Sequence, residues 1–260
     1  MWTRHWRQRA WSGLTAPWDV IIVGGGITGA GILREATRLG LRTLLVERRD
    51  FAWGTSSRSS KLVHGGLRYL KQGKLRLTRS SVRERERLLE EGPGLIDPLG
   101  FLLATYRGDR PGRWTYGVGL SIYDLLALQW SHRYYSAEDF QMLAPRIAHD
   151  RLRGGFRYGD AQTDDARLVL RIIREAMAEG GVALNYAAAE EVLQEGGRAV
   201  GVVVRDRESG RSAQVRARVI INATGAWADE LRAQVGAAPR IRPLRGSHLI
   251  FPAWRLPVAQ

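Results

Sequence analysis

The chain contains no cysteine. Disulfide frameworks, thiolate metal ligands and cysteine nucleophiles are therefore excluded. Lysine is nearly absent as well. Lys61, Lys71 and Lys74 are the only three, so the net charge of +14 is almost wholly arginine. No apolar run approaches the roughly 18 residues needed to cross a bilayer, and residues 1–7 (MWTRHWR) lack the apolar core of a secretory signal. These absences lead to the expectation of a cytoplasmic protein, or one held peripherally on the inner face of the cell membrane. The arginines are scattered and no nucleic-acid motif accompanies them, so a coding bias toward arginine is favoured over a nucleic-acid partner. A length of 260 residues, 44% of them apolar, suffices for one large domain or two small ones with a real core.

What is present begins at Asp19. An apolar run at 20–23 has the length and β-branched content of a buried parallel strand. Gly24, Gly26 and Gly29 follow as G-x-G-x-x-G, and the spacing of Ile27, Ala30, Leu33 and Ala36 predicts a helix closed by Gly40. A second apolar strand is expected at 43–46, with Glu47 at its end. In such a βαβ unit the glycines make a tight turn, let the backbone approach a pyrophosphate, and let helix and strand pack closely. The helix start offers unpaired N–H groups to the phosphates. Glu47 stands where a carboxylate accepts hydrogen bonds from ribose hydroxyls. The motif points to a dinucleotide without separating one dinucleotide from another.

The next stretch, TSSRSSKLVHGGLRY from Thr55 to Tyr69, joins hydroxyls, a lysine and paired glycines, which suits a loop lying along a phosphate chain and a flat ring. Alone it reads equally as a polar linker. With GGGITGAG before it, TDDARL at 163–168, INATGAW at 221–227 and RGSHLIF at 245–251 after it, the chain resembles the FAD-dependent glycerol-3-phosphate dehydrogenases, within the D-amino-acid-oxidase-like flavoproteins. The resemblance implies an α/β fold: a Rossmann-like FAD-binding domain of parallel sheet, helices and β-meander, plus an incomplete substrate domain. The expected division is a lead segment at 1–18, the FAD-binding domain at 19–93 and 160–232, and a partial substrate domain at 94–159 and 233–260. The family runs to about twice this length, and the last segment reads as a chain cut in mid-domain, so weak FAD binding and poor turnover are expected of it.

In chain order, Trp2, Trp6 and Trp11 interleave with Arg4, Arg7 and Arg9, which suits either a membrane headgroup interface or a short helix docked on the domain. A charged helix is expected at 75–91, with Arg87 and Glu91 paired across one turn. A strand is expected at 101–104, then an apolar helix at 116–130 lining a pocket or touching lipid, then a helix capped by Ser136. Asp164 and Asp165 open a further helix; a metal or acid–base role is set aside for a cap and dipole complement. Strands are expected at 182–186, 200–205, 212–216 and 219–222, the last running into the Ala223-Thr224-Gly225 turn, and a final one at 247–251.

The reaction implied by the resemblance is oxidation of sn-glycerol 3-phosphate to dihydroxyacetone phosphate by hydride transfer to FAD, with electrons passed to quinone. A dianionic phosphate calls for guanidinium partners. Arg68 and Tyr69 align with family substrate contacts, and Arg245 and His248 are placed near that pocket. Lys61 and His64 fall beside the flavin ring, and Thr55, Ser56 and Ser60 are candidates for the pyrophosphate and ribityl chain. Thr224 and Gly225 return the backbone against the cofactor. His64 is read as a hydrogen-bonding group, with a general-base role as the alternative. No metal is expected. A glycerol-3-phosphate oxidase using oxygen, and a non-catalytic flavin-binding or membrane-associated fragment, are the alternative functions. An NAD-dependent dehydrogenase ranks last, because it needs neither the Thr55–Tyr69 loop nor the return turn.

Overall fold

The computed structural model describes residues 2–128 and 130–258; the Arg68 and Lys71 side chains lie outside what it describes. In chain order the elements are α1 (Trp6–Ser12), β1 (Trp18–Val23), α2 (Ile27–Arg38), β2 (Thr43–Val46), β3 (Leu62–Val63), α3 (Leu67–Lys71), α4 (Leu75–Glu91), β4 (Ile96–Tyr106), α5 (Arg113–Ala127), β5 (Arg133–Ser136), α6 (Ala137–Leu143), β6 (Leu152–Thr163), α7 (Asp165–Ala178), β7 (Val182–Leu184), β8 (Ala187–Glu195), β9 (Arg198–Asp206), β10 (Ser212–Asn222) and α8 (Ala228–Ala233). They form two compact units: residues 1–59 with 164–246, and residues 60–163 with 247–260. These limits fall at 59/60 and 163/164, where the sequence places its functional domain limits at 93/94 and 159/160; assignment of the units to cofactor and substrate is a proposal.

The first unit is built on a six-stranded sheet in the order β7-β2-β1-β10-β9-β8. β7, β2, β1 and the end of β10 run parallel, and β10, β9 and β8 are antiparallel. Both faces are buried, which is why β1 and β2 read as continuous apolar runs. Val20, Ile22 and Leu45 pack under Ala30 and Leu33 of α2 and Val169 and Ile173 of α7. Ile21, Val23, Leu44 and Val46 point the other way, into Val192, Val202, Val204 and Val215 of the antiparallel strands. Each fully buried valine, leucine or isoleucine among them contributes about 1.5–3 kcal/mol.

Three expectations need correction here. The segments at 212–216 and 219–222 are one strand, β10, whose first half pairs antiparallel with β9 and whose second half pairs parallel with β1. Strand β8, AAAEEVLQE, was not expected at all; its residues favour helix, and pairing with β9 overrides that preference. The strand expected at 247–251 is not formed. Residues 237–252 have no regular structure and none of the described strands pairs with them; the apolar run is exposed, and without a neighbouring strand β-propensity alone does not make a ladder.

The N-terminal segment settles as a docked helix. Trp11 is buried with Leu14 and Trp18 in the core, Trp2 stacks on Phe51, and Arg7 donates to the Asn185 carbonyl and pairs with Asp206 at 2.6 Å. The tryptophans that suit a lipid interface in the sequence are turned inward.

The second unit holds an antiparallel sheet in the order β3-β6-β4, with β5 also on β6. β4 runs through Pro98, longer than the expected 101–104 strand. It is an edge strand, where a missing N–H is tolerated. α4 and α5 pack on each other and on the sheet. α4 matches its expected limits and carries the Arg87–Glu91 pair at 3.1 Å. At α6 the Ser136 hydroxyl accepts from the Asp139 N–H, as expected of a cap. Among the described residues no helix is long and apolar enough to cross a membrane.

Candidate cofactor site and substrate turn

In the first unit, a cavity of about 360 Å³ is lined by Gly24, Gly26, Thr28, Glu47, Arg48, Trp53, Thr55, Ser56, Thr224, Gly225 and Trp227, among others. That volume is ordinary for a ligand site. Its floor depends on glycine for steric reasons. A Cβ on Gly29 would collide with the Gly24 carbonyl oxygen, and one on Gly24 with the Ala223 carbonyl. Helix α2, the first glycine turn and the return turn are thus pressed backbone to backbone.

Polar groups hold this cradle in place. The Gly25 N–H donates to Glu47 Oε2 and the Arg49 N–H to Oε1, both at 2.8 Å. Each carboxylate oxygen keeps further acceptor capacity toward the cavity. Ser56 Oγ accepts from the Ile27 N–H at 2.9 Å, tying the loop to the start of α2. The Thr224 hydroxyl donates to Asn222 Oδ1 at 2.6 Å, while the Asn222 amide donates to the Ala228 carbonyl. Gly225 takes a φ of 59°. A phosphate-bearing dinucleotide fits these residues: close-approach glycines, a helix N-terminus and a carboxylate line one hollow.

Several contributors were not singled out in the sequence. Trp53 and Trp227 stand 6.0 Å apart at the cavity wall, Arg49 lies 3.8 Å over the Trp53 ring, and Arg48 pairs with Glu230 at 3.1 Å. Position relative to Glu47 was the available signal for Arg48; for Trp227 it was the INATGAW stretch at 221–227. The paired aspartates divide their work. Asp164 caps α7 through the Arg167 N–H, as expected, whereas buried Asp165 accepts from the Ser59 hydroxyl at 2.7 Å and anchors the loop.

In the second unit, Ser60 and Lys61 lead into β3, and His64-Gly65-Gly66 turns into α3. His64 is exposed and its ring lies 6.3 Å from that of half-buried Tyr69. The Arg68 side chain lies outside the described residues. Beneath the turn is a buried polar cluster. The Gly65 N–H donates to Asp160 Oδ1 at 2.9 Å, Arg85 Nη1 reaches the same oxygen at 3.0 Å, and the Tyr123 hydroxyl lies 3.1 Å from Arg85 Nη1. Burial pushes the Asp160 carboxyl up from its usual range, while the Gly65 N–H, Arg85 and the charge of His64 hold it down. Burial likewise raises the Tyr123 phenol and takes Tyr158 to about 12. Arg245 and His248 are exposed in the irregular stretch, Arg245 at the end of the first unit and His248 at the start of the last segment of the second. Thus Gly24, Gly26, Glu47, Thr55, Ser56, Thr224 and Gly225 share one cavity with Gly29 packed beneath it, His64 and Tyr69 flank one turn, and Lys61 stands on the far side of β3 from it.

Residues 19–260 match the family model described as FAD dependent oxidoreductase. The chain is 40% identical over 248 residues to the aerobic glycerol-3-phosphate dehydrogenase of Bacillus subtilis, covering 94% of this chain and 45% of that protein. It therefore spans less than half the length of that relative. Among solved structures it is similar to the glycerol-3-phosphate dehydrogenase from Bacillus halodurans complexed with FAD, with a TM-score of 0.72, 33% identity, and coverage of 90% of this chain and 40% of that one. The L-alpha-glycerophosphate oxidase from Mycoplasma pneumoniae shares the fold, with a TM-score of 0.63 at 17% identity, over 85% of this chain and 57% of that one.

Proposed function

The chain belongs to the family of FAD-dependent oxidoreductases, and on that premise we propose that it serves the oxidation of sn-glycerol 3-phosphate to dihydroxyacetone phosphate, with quinone as the final acceptor. The observation that carries this reading is the 40% identity to an aerobic glycerol-3-phosphate dehydrogenase across nearly the whole chain. FAD, when bound, supplies the acceptor for the hydride leaving the substrate C2. The chain's own residues bind and orient. Gly24, Gly26 and the start of α2 take the pyrophosphate with Thr55, Ser56 and Ser60, and Glu47 takes a ribose. Thr224 and Gly225 close against the cofactor from the return turn. Lys61 and His64 serve the ring end. Arg68 and Tyr69 take the substrate's phosphate or hydroxyls, a guanidinium fork being suited to the phosphate, and Arg245 and His248 are assigned near that pocket.

A peripheral position on the inner face of the membrane is part of this proposal. Its support lies at α5, not at the N-terminal tryptophans. Trp114, Val118, Ile122 and Leu125 fall on one face of that helix, and Trp114 and Leu125 are 81% and 70% exposed. Arg79, Arg83 and Arg87 of α4 line one hollow with Leu125 and Leu128, three arginines against the two carboxylates of Glu86 and Glu90. Apolar and cationic groups side by side suit an anionic lipid surface.

The test is a visible absorption spectrum of the purified 260-residue chain loaded with FAD, before and after anaerobic glycerol 3-phosphate. Slow bleaching of the flavin band, at an FAD concentration high enough to offset the weak binding expected of this chain, is the expected outcome. A stoichiometric flavin band unchanged by glycerol 3-phosphate would overturn the substrate assignment for this chain, and a protein that takes up no FAD would overturn the cofactor site as well.

A further inference from the structure

We propose that Asp160, held by Arg85 and Tyr123, is the positioning residue of the His64-Gly65-Gly66 turn, acting through the Gly65 amide. The inference rests on the reading of that turn as substrate-facing, and it concerns residues that no part of that reading uses.

Three elements converge on one backbone N–H. Asp160 lies in β6, which pairs with three other strands. Arg85 comes from the middle of α4 and Tyr123 from α5. Arg85 and Asp160 are 5% and 6% exposed, and Tyr123 is fully buried. Arg85 Nη1 bridges Asp160 Oδ1 at 3.0 Å, the Tyr123 hydroxyl at 3.1 Å and the Gly159 carbonyl at 3.2 Å. The carboxylate therefore cannot rotate away from the turn without breaking the guanidinium contact. Gly65 lies so close to this cluster that a Cβ on it would collide with the Tyr123 hydroxyl and Val82 Cγ2. His64 precedes the anchored amide directly, and Tyr69 begins its helical turn from the Gly66 carbonyl at 2.8 Å. A shift at Gly65 therefore moves both side chains.

A purely stabilising ion pair is a poor explanation of this arrangement. Burying two charges costs several kcal/mol in desolvation, and apolar residues of the same size often serve the fold as well. An ion pair that fixes an acceptor under one N–H in a loop does something a pair of apolar residues cannot.

The experiment compares two double variants of the full chain, each of which removes the Arg85 and Asp160 charges together and leaves the half-buried Glu86 carboxylate without Arg85 to the same extent in both. Arg85→Met with Asp160→Asn keeps the residue-160 oxygen under Gly65; Arg85→Met with Asp160→Leu removes it and leaves the Tyr123 hydroxyl, the same in both proteins, as the other oxygen at the Gly65 N–H. Amide hydrogen exchange is read as the ratio of Gly65 to ladder amides of β4 and β6 such as Leu103, so that a general loosening cancels. The leucine protein is expected to raise this ratio at least tenfold and the asparagine protein to leave it within about twofold of the parent. Equal ratios in the two would overturn the proposal. Should the leucine protein fail to fold, the asparagine protein still decides, because its Gly65 amide proton resonance must move upfield as a carboxylate acceptor becomes an amide. An unmoved resonance overturns the anchor. In the FAD-loaded chain, the leucine protein is expected to need at least tenfold more glycerol 3-phosphate for the same flavin response. If the parent shows no response, the substrate reading fails while the exchange ratio still decides the anchor.

Discussion

Buried charge sits differently in the two units. In the first, the buried acids stand at element ends: Asp165 opens α7 and Asp206 closes β9. The sheet between α2, α7 and the antiparallel strands is apolar on both faces. In the second, Arg85, Tyr123, Asp124 and Asp160 lie within α4, α5 and β6. Asp124 alone accepts from the Ser131 and His132 N–H groups and pairs with His132 Nδ1 at 2.6 Å. An apolar core needs only the right faces and volumes and tolerates repacking. A core threaded by charges needs each partner in one geometry, so it specifies a loop position at the cost of resilience.

The sharpest break of this comparison is Asp160→Ala. It leaves the buried Arg85 guanidinium with Glu86 as its one remaining carboxylate among the described residues and takes the Asp160 acceptor from the Gly65 N–H, and up to about 3–5 kcal/mol should be lost. Segment-resolved hydrogen exchange is expected to show the loss across residues 60–163, with 19–46 still protected. Equal loss in both units would mean that their cores do not behave independently. Ile173→Ala is the counterpart in the apolar core, expected to cost about 2–5 kcal/mol by leaving a cavity under the sheet. Here protection should fall at β1 and β2 and hold at β4 and β6.

A pH series sharpens the contrast, since the two buried acids shift in opposite directions. Burial works to raise the Asp206 carboxyl, but Arg7, Ser209 and the Glu208 N–H together bring it down to about 2 from 3.8. Its unfolded form binds a proton first. The stabilisation is therefore complete above about pH 4 and disappears as pH falls through about 2, some 2 kcal/mol in all. Asp206→Asn should lower the urea midpoint at pH 5 and match the parent near pH 2. Asp160, raised by burial, has the opposite sign: its contribution improves as pH falls through its folded range. The smallest effect is reserved for exposed charge. Arg87→Ala, breaking the surface pair with Glu91, should change the melting free energy by no more than about 0.5 kcal/mol, and a larger change would assign that arginine to something other than a solvated helix face.

Legibility follows the same division. Gly24, Gly26, Gly29 and Glu47 were readable because a strand, a turn, a helix and a second strand follow one another within thirty residues, and every part is fixed by local spacing. The Asp160 anchor was not readable. Its residue and Arg85 are 75 positions apart, and nothing local to either distinguishes them from surface charges. Pro98 hid most of β4, since only the finished sheet reveals that it runs along an edge. The helix-favouring composition of β8 misled for the related reason that strand formation is decided by a neighbour.

The sequence alone determined the dinucleotide cradle, the helices with their caps at Ser136 and Asp164, and the family to which the chain belongs, because spacing and side-chain chemistry act over a few residues. Only the tertiary structure decided that β10 serves two kinds of pairing, that Trp11 faces the core while Trp114 faces outward, and that Asp165 and Asp160 hold loops. Those outcomes depend on which distant backbone groups and apolar faces meet, and a hydrogen bond or a buried face has no energy until its partner is in place.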